Sequence, residues 1–162
     1  MSQDMNPGRP GVRQKMRVKM QMKGSAASHS RTDIAVRDLL SVIDEPVERG
    51  GTNQGLSPTE TLIAALIACT SVISHKIALK HGIALHDMQL RVEADFDRRG
   101  VTLEEDVAVP FPAMKLTVDV RTDAGAEQME QLRHELAMYC PISKVVRASG
   151  TVLTEQWNVS PL

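Results

Sequence analysis

The feature that most constrains this chain is a helix-start signal followed by a long apolar run. In Ser57-Pro58-Thr59-Glu60 the serine can take up a free backbone N–H, the proline suits the first helical position, and Glu60 completes a capping box. The spacing predicts a helix from there to about Lys80, with Gly82 as its stop. Leu62, Leu66, Cys69, Ile73 and Ile77 form one stripe, and Ile63, Ala64 and Ile67 fill the adjacent face. A helix that is apolar nearly all round in its first half belongs at the centre of a fold, covered by the rest of the chain. The longest uninterrupted apolar stretch, residues 62–69, is far too short to span a bilayer.

The remaining segments supply that cover. Met16, Val18, Met20 and Met22 alternate with Arg17, Lys19, Gln21 and Lys23, the period of a half-buried strand. Residues 24–30 read as a small polar turn, and Ile34, Val36, Leu40, Val42 and Ile43 as strands near 31–37 and 39–43, an antiparallel meander. Residues 44–57 hold Pro46, Gly50, Gly51 and Gly55 and form a loop. Past the central helix, Met88 to Asp97 alternate as a long amphipathic strand, residues 98–112 form a charged loop, and Met114 to Val120 alternate again. Residues 124–138 make a second helix, Cys140-Pro141 opens a third short one ending near Gly150, and a last strand covers about 151–159. Strands precede and follow the helices without strict alternation, so the class is α+β. Residues 1–12, with Pro7, Gly8, Pro10 and Gly11, read as a mobile tail, and residues 13–162 as one domain.

Composition removes several functions. With 2% aromatic residues there is little on which nucleic-acid bases could stack. A net charge of -1 gives no general field toward nucleic acid or an anionic membrane. The basic cluster Arg9, Arg13, Lys15, Arg17, Lys19 and Lys23 reads as a solvated arm and the wet face of a first strand. No secretory signal is evident, so the expected location is the cytosol, where two cysteines are poorly suited to a permanent disulfide. They are inert, metal ligands, or redox-active.

Cys69, in the middle of an apolar helix, can be a packing residue that behaves as a small hydrophobe. Cys140 directly precedes Pro141 and so caps the following helix, whose free N–H groups and positive dipole end favour a thiolate, with Lys144 one turn on; a plain cap is the alternative. There is no CxxC pair, and His29, His75, His81, His86 and His134 show no close metal-ligand spacing to either cysteine. No phosphate-binding loop, GxSxG elbow or glycosidase-type carboxylate pair is present.

Gly50-Gly51-Thr52, Ser57-Pro58-Thr59-Glu60, Ala64-Ala65-Leu66-Ile67-Ala68-Cys69 and Cys140-Pro141-Ile142-Ser143 together resemble the OsmC/Ohr family of osmotically inducible and organic-hydroperoxide-resistance proteins, from about residue 44 to 157. With Asp44-Glu45-Pro46, the likeness is to the broader OsmC-like branch. The resemblance implies antiparallel sheets around a long buried central helix and an intertwined homodimer with active sites at the subunit interface. It also implies a cysteine-based peroxidase for organic hydroperoxides, recycled by a dithiol such as dihydrolipoamide, with no metal or organic cofactor. In that scheme Cys69 is the attacking thiolate, oxidised to a sulfenic acid that Cys140 resolves as a disulfide.

A thiolate on an apolar face is disfavoured by desolvation and needs a cation. The family supplies an arginine from the N-terminal strands, held by a glutamate at the start of the central helix. Arg31 or Arg37 would be that arginine here, Arg31 being preferred, and Glu60 the glutamate. In Ohr-type members the glutamate directly follows the proline, a position held here by Thr59. Nine residues put Glu60 across the helix from Cys69, which suits a capping residue. Leu62, Leu66, Ile73 and Phe111 would form apolar surroundings favouring alkyl peroxides. Two other readings stand beside the enzyme: a binding or redox-sensing module holding an apolar or thiol ligand at the dimer interface, and a structural protein with incidental cysteines.

Overall fold

The computed structural model describes residues 16–162, so the expected tail over 1–12 and the cations Arg9, Arg13 and Lys15 lie outside the described residues. The chain forms two compact units that meet in sequence at Gly55–Leu56.

The first unit is a three-stranded antiparallel sheet in the order β1 (Lys23–Ala26), β2 (Arg31–Val36), β3 (Leu39–Asp44). The meander and the β2 and β3 positions match the alternation. Of the strand expected over residues 16–23 only Lys23 is in one: β1 starts there and runs through Ala26, into the expected turn. Alternation marks a strand only where a neighbour accepts its backbone groups. Among the described residues none pairs with 16–22, whose Met16 and Met20 are 99% and 83% exposed.

β3 ends at Asp44, which is fully buried and ties down the following loop. Its Oδ2 accepts from Thr52 Oγ1 (2.6 Å), Thr52 N (3.0 Å) and Gln54 N (3.1 Å). Those bonds, led by the Thr52 hydroxyl, hold its carboxyl below the usual range. The loop folds back through a short 3-10 turn, Val47–Arg49, so tightly that a Cβ on Gly51 would lie 1.6 Å from the Glu45 carbonyl oxygen.

The second unit holds α1 (Pro58–Lys80), β4 (His86–Ala94), β5 (Ala113–Arg121), α2 (Ala126–Tyr139), α3 (Pro141–Ala148) and β6 (Val152–Ser160). The capping box forms as the sequence indicated: Glu60 N donates to Ser57 Oγ (3.3 Å) and Ser57 N to Glu60 Oε2 (2.8 Å). Beyond α1, Gly82 takes the left-handed φ of +66° that ends a helix.

The sheet order is β4-β5-β6. β4 and β5 are antiparallel, but β5 and β6 run parallel, a departure from the all-antiparallel expectation. The intervening α2 and α3 carry the chain back to its starting edge, the long crossover that a parallel pair requires. One core cluster, centred on Leu66, Leu116 and Val118, lies between α1 and the sheet. A second joins Ile77, Ala78, Leu132, Leu136 and Cys140. Full burial of side chains such as Leu66 or Leu132 stabilises the fold by about 2 kcal/mol each.

α1 departs from expectation in orientation. Its buried stripe is Leu66, Thr70, Ser74 and Ile77, with Ala78 beside it, and Thr70 Oγ1 is satisfied by the Leu66 carbonyl at 2.8 Å. Leu62, placed on the inner stripe by the sequence, is 38% exposed, and Val72 and Leu79 are 52% and 66% exposed. A helix apolar on all sides has no intrinsic inner face, so its neighbours choose one. By length and composition α1 is also long and apolar enough to cross a membrane, which the short 62–69 run did not suggest; it packs on α2, α3 and β4.

Candidate active site

The two thiols meet. Cys140 Sγ donates to Cys69 Sγ at 3.3 Å, across 71 residues of sequence. Both cysteines are free, since a disulfide needs about 2.05 Å. α1 brings Cys69, and the junction of α2 and α3 brings Cys140.

That junction follows from local chemistry. Proline disfavours helical backbone at the residue before it, so Cys140 is extended (φ −71°, ψ 108°), ending α2 and starting α3. Its N–H still closes α2 onto Leu136 O (2.9 Å), while its carbonyl accepts from Lys144 N (3.2 Å), the first bond of α3, and from Ser143 Oγ (3.1 Å). The backbone of Cys140 is thus held from both sides, and its thiol is fully buried.

Cys140 occupies the N-cap position, as its sequence indicated, but its sulfur makes no capping bond. The beneficiary of the α3 N-terminus is the other cysteine: the Ile142 N–H, in the first turn of α3, donates to the Cys69 sulfur. Burial pushes the Cys69 thiol up, the Ile142 N–H pulls it down, and competition with Cys140 for a proton pushes it up again; a smaller downward pull comes from Lys76. Cys69 is only partly buried, so of the two sulfurs it is the one solvent can reach.

Glu60 serves the capping box through Ser57. Arg31 opens β2 in the first unit, and its guanidinium is engaged by Asp33 (Nε to Oδ1 2.7 Å, Nη2 to Oδ2 3.3 Å) and by Gln54 Oε1 (2.6 Å). Arg37 sits in the tight β2–β3 turn at φ +53° and is exposed. Of the expected apolar surroundings, Ile73 packs with the cysteine cluster, whereas Leu66 and Phe111 belong to the other cluster, Phe111 stacking on Phe96 at 4.9 Å. The sequence reading missed Ile142 and Lys76. The first was signalled by Pro141, which leaves the next N–H free in a helix's first turn; the second by its seven-residue spacing from Cys69. Among the described residues no group of three or more histidine, cysteine and carboxylate side chains is placed to hold a metal.

The architecture is shared with solved structures. An OsmC-like protein from Mycoplasma pneumoniae aligns with a TM-score of 0.70 at 13% identity, covering 91% of this chain and 99% of its own. An organic hydroperoxide resistance protein OsmC from Legionella pneumophila aligns at 0.59 and 17%, covering 90% and 99%. One from Elizabethkingia anophelis, bound to thiocyanate, aligns at 0.63 and 12%, covering 91% and 100%. At these identities the likeness is one of fold. No curated protein matches the sequence. The model of the OsmC-like protein family matches residues 51–155, a span that contains both cysteines and the helices that present them, and the chain belongs to that family.

Proposed function

We propose that this protein is a thiol-dependent reductase of organic hydroperoxides, with Cys69 as the attacking sulfur and Cys140 as the resolving one. The observation that carries this reading is the 3.3 Å approach of an accessible thiol to a fully buried one. A peroxide must reach the first sulfur, and the second must be shielded and adjacent when the first is oxidised.

The Cys69 thiolate attacks the distal peroxide oxygen; the O–O bond breaks, and the departing alkoxide takes a proton to leave as the alcohol. Cys69 becomes a sulfenic acid. The Cys140 sulfur, losing its proton, attacks the Cys69 sulfur and expels water, forming the disulfide. An external dithiol then reduces that bond through a mixed disulfide, becoming a disulfide itself. This requires no metal or organic cofactor, and it suits a reducing compartment such as the cytosol. The apolar neighbours Ile73 and Ile142 favour alkyl over hydrogen peroxide. We also propose a homodimer. The exposed line Ala68, Val72, His75 and Leu79 along α1 gives a second copy an apolar face to cover, and solved proteins of the same fold named for organic hydroperoxide resistance support the activity.

The test is a thiol titration of reduced protein after one equivalent of cumene hydroperoxide, repeated with hydrogen peroxide and with Cys69→Ser and Cys140→Ser. Loss of both thiols within seconds, with a Cys69–Cys140 bridge and preference for the organic peroxide, is the expected result. Survival of both for minutes would end the peroxidase reading. It would favour the second reading, a binding or redox-sensing protein, for which the upward push of burial on the Cys69 thiol is the supporting observation.

A further inference from the structure

We propose that Lys76 is the cation that stabilises the Cys69 thiolate. The inference deepens the peroxidase reading and takes its catalytic meaning from it, but its physical content is the ionisation of one thiol.

Seven residues along an α-helix amount to nearly two full turns, so Lys76 and Cys69 lie within about 20° of each other on α1, separated by about 10.5 Å along the axis. Helical side chains lean toward the N-terminus, so a lysine at this position extends in the direction of the cysteine and not away from it. The chain positions Lys76 on the solvent side, where the charged head stays hydrated while its stem lies along the apolar helix. Its field acts on the Cys69 sulfur and favours the thiolate.

Among the described residues no carboxylate lies within ion-pair distance of Lys76. The next cation along the helix, Lys80, is engaged by Glu135 of α2 at 3.0 Å. Glu135 is turned to Lys80 and His81 at the far end of α1. From the α2–α3 junction the Cys140 thiol and the Ile142 N–H act on Cys69, and from its own helix the charge of Lys76 does.

The experiment measures the titration of Cys69 in a Cys140→Ser background, by thiolate ultraviolet absorbance and by iodoacetamide alkylation rate against pH. Lys76→Gln is expected to raise the midpoint by about half a pH unit and to slow alkylation near neutral pH about threefold, the size expected of a solvent-screened charge. Lys76→Arg should restore both. In about 1 M salt the difference between parent and Lys76→Gln should collapse, because exposed charges are then screened within a few ångströms. Superimposable titrations of parent and Lys76→Gln at low salt, or a Lys76→Arg variant that behaves like Lys76→Gln, would overturn the inference. A normal Lys76-dependent titration with no peroxide turnover sinks the peroxidase reading alone; normal turnover without a titration shift sinks this one alone.

Discussion

Glu135 on α2 accepts a hydrogen bond from His81 Nε2 at 2.6 Å, at the point where α1 ends. The same carboxylate takes Lys80 Nζ (3.0 Å) and Gln131 Nε2 (3.2 Å), and the residue is only 9% exposed. It therefore clips the last turn of α1 to α2, the helix that delivers Cys140. The Lys80 bond, more than any other contact, holds the Glu135 carboxyl below its ordinary range, with His81 and Gln131 adding to it against the opposing effect of burial. Because the folded-state pKa is depressed, the stabilisation is complete above the unfolded carboxylate's pKa. It is lost as pH falls through the folded value, in the acid range below about 4.5. We expect Glu135→Ala to lower the thermal midpoint at neutral pH and to flatten the acid limb of the stability profile. A scan of Tm against pH for both proteins checks this, and an unchanged acid limb would contradict it.

The two cysteines should differ sharply in native reactivity. Cys140 is fully buried, whereas Cys69 is reachable and receives the Ile142 N–H. Iodoacetamide on folded, reduced protein should modify Cys69 at least about tenfold faster than Cys140, with the two converging in denaturant. Peptide mass mapping over time provides the measurement, and equal native rates would remove the assignment of the attacking sulfur.

At the start of α1, substitutions separate capping from catalysis. Ser57→Ala removes the acceptor for Glu60 N and should cost about 1 kcal/mol of stability. Glu60→Gln keeps an acceptor for Ser57 N and should stay near the parent stability. Urea melts read the stabilities, and alkylation kinetics read the site. If Glu60 acts mainly in the cap, Glu60→Gln alkylates Cys69 at the parent rate; a large slowing would show that the carboxylate acts on the thiol.

Packing behind Cys140 should be felt in the chemistry. Leu132 and Leu136 are 0% and 2% exposed and belong to the cluster that contains Cys140. Leu132→Ala should cost about 3 kcal/mol. By loosening the wall behind Cys140 it should also slow peroxide-driven disulfide formation without slowing alkylation of Cys69. Equilibrium unfolding and non-reducing electrophoresis after a peroxide pulse follow the two effects.

The local elements could be read from the chain because their causes are local. Ser57, Pro58 and Glu60 specify the start of α1, Gly82 its end, and Pro141 the break between α2 and α3 that holds Cys140 extended. These effects act over a few residues and need no partner, so the residue types alone determined them. The segment 16–22 marks the limit of such reasoning: its alternation is that of a strand, yet a strand also needs a neighbour for its backbone, and alternation cannot say whether one is there.

What only the tertiary structure decided is which groups meet. Nothing in the sequence orients α1, because a helix apolar on every side sits equally well at any rotation. The choice to bury Leu66, Thr70, Ser74 and Ile77, and so to leave Cys69 at the border of the core, is made by α2, α3 and the sheet. The parallel course of β6 was decided by where α2 and α3 return the chain. The 3.3 Å approach of two sulfurs 71 residues apart, and the transfer of the α3 N-terminus from the cysteine that caps it to the one that faces it, arise from the same packing. Local chemistry determined where each thiol stands along the chain; close packing of helices without an inner face of their own determined that the two stand together.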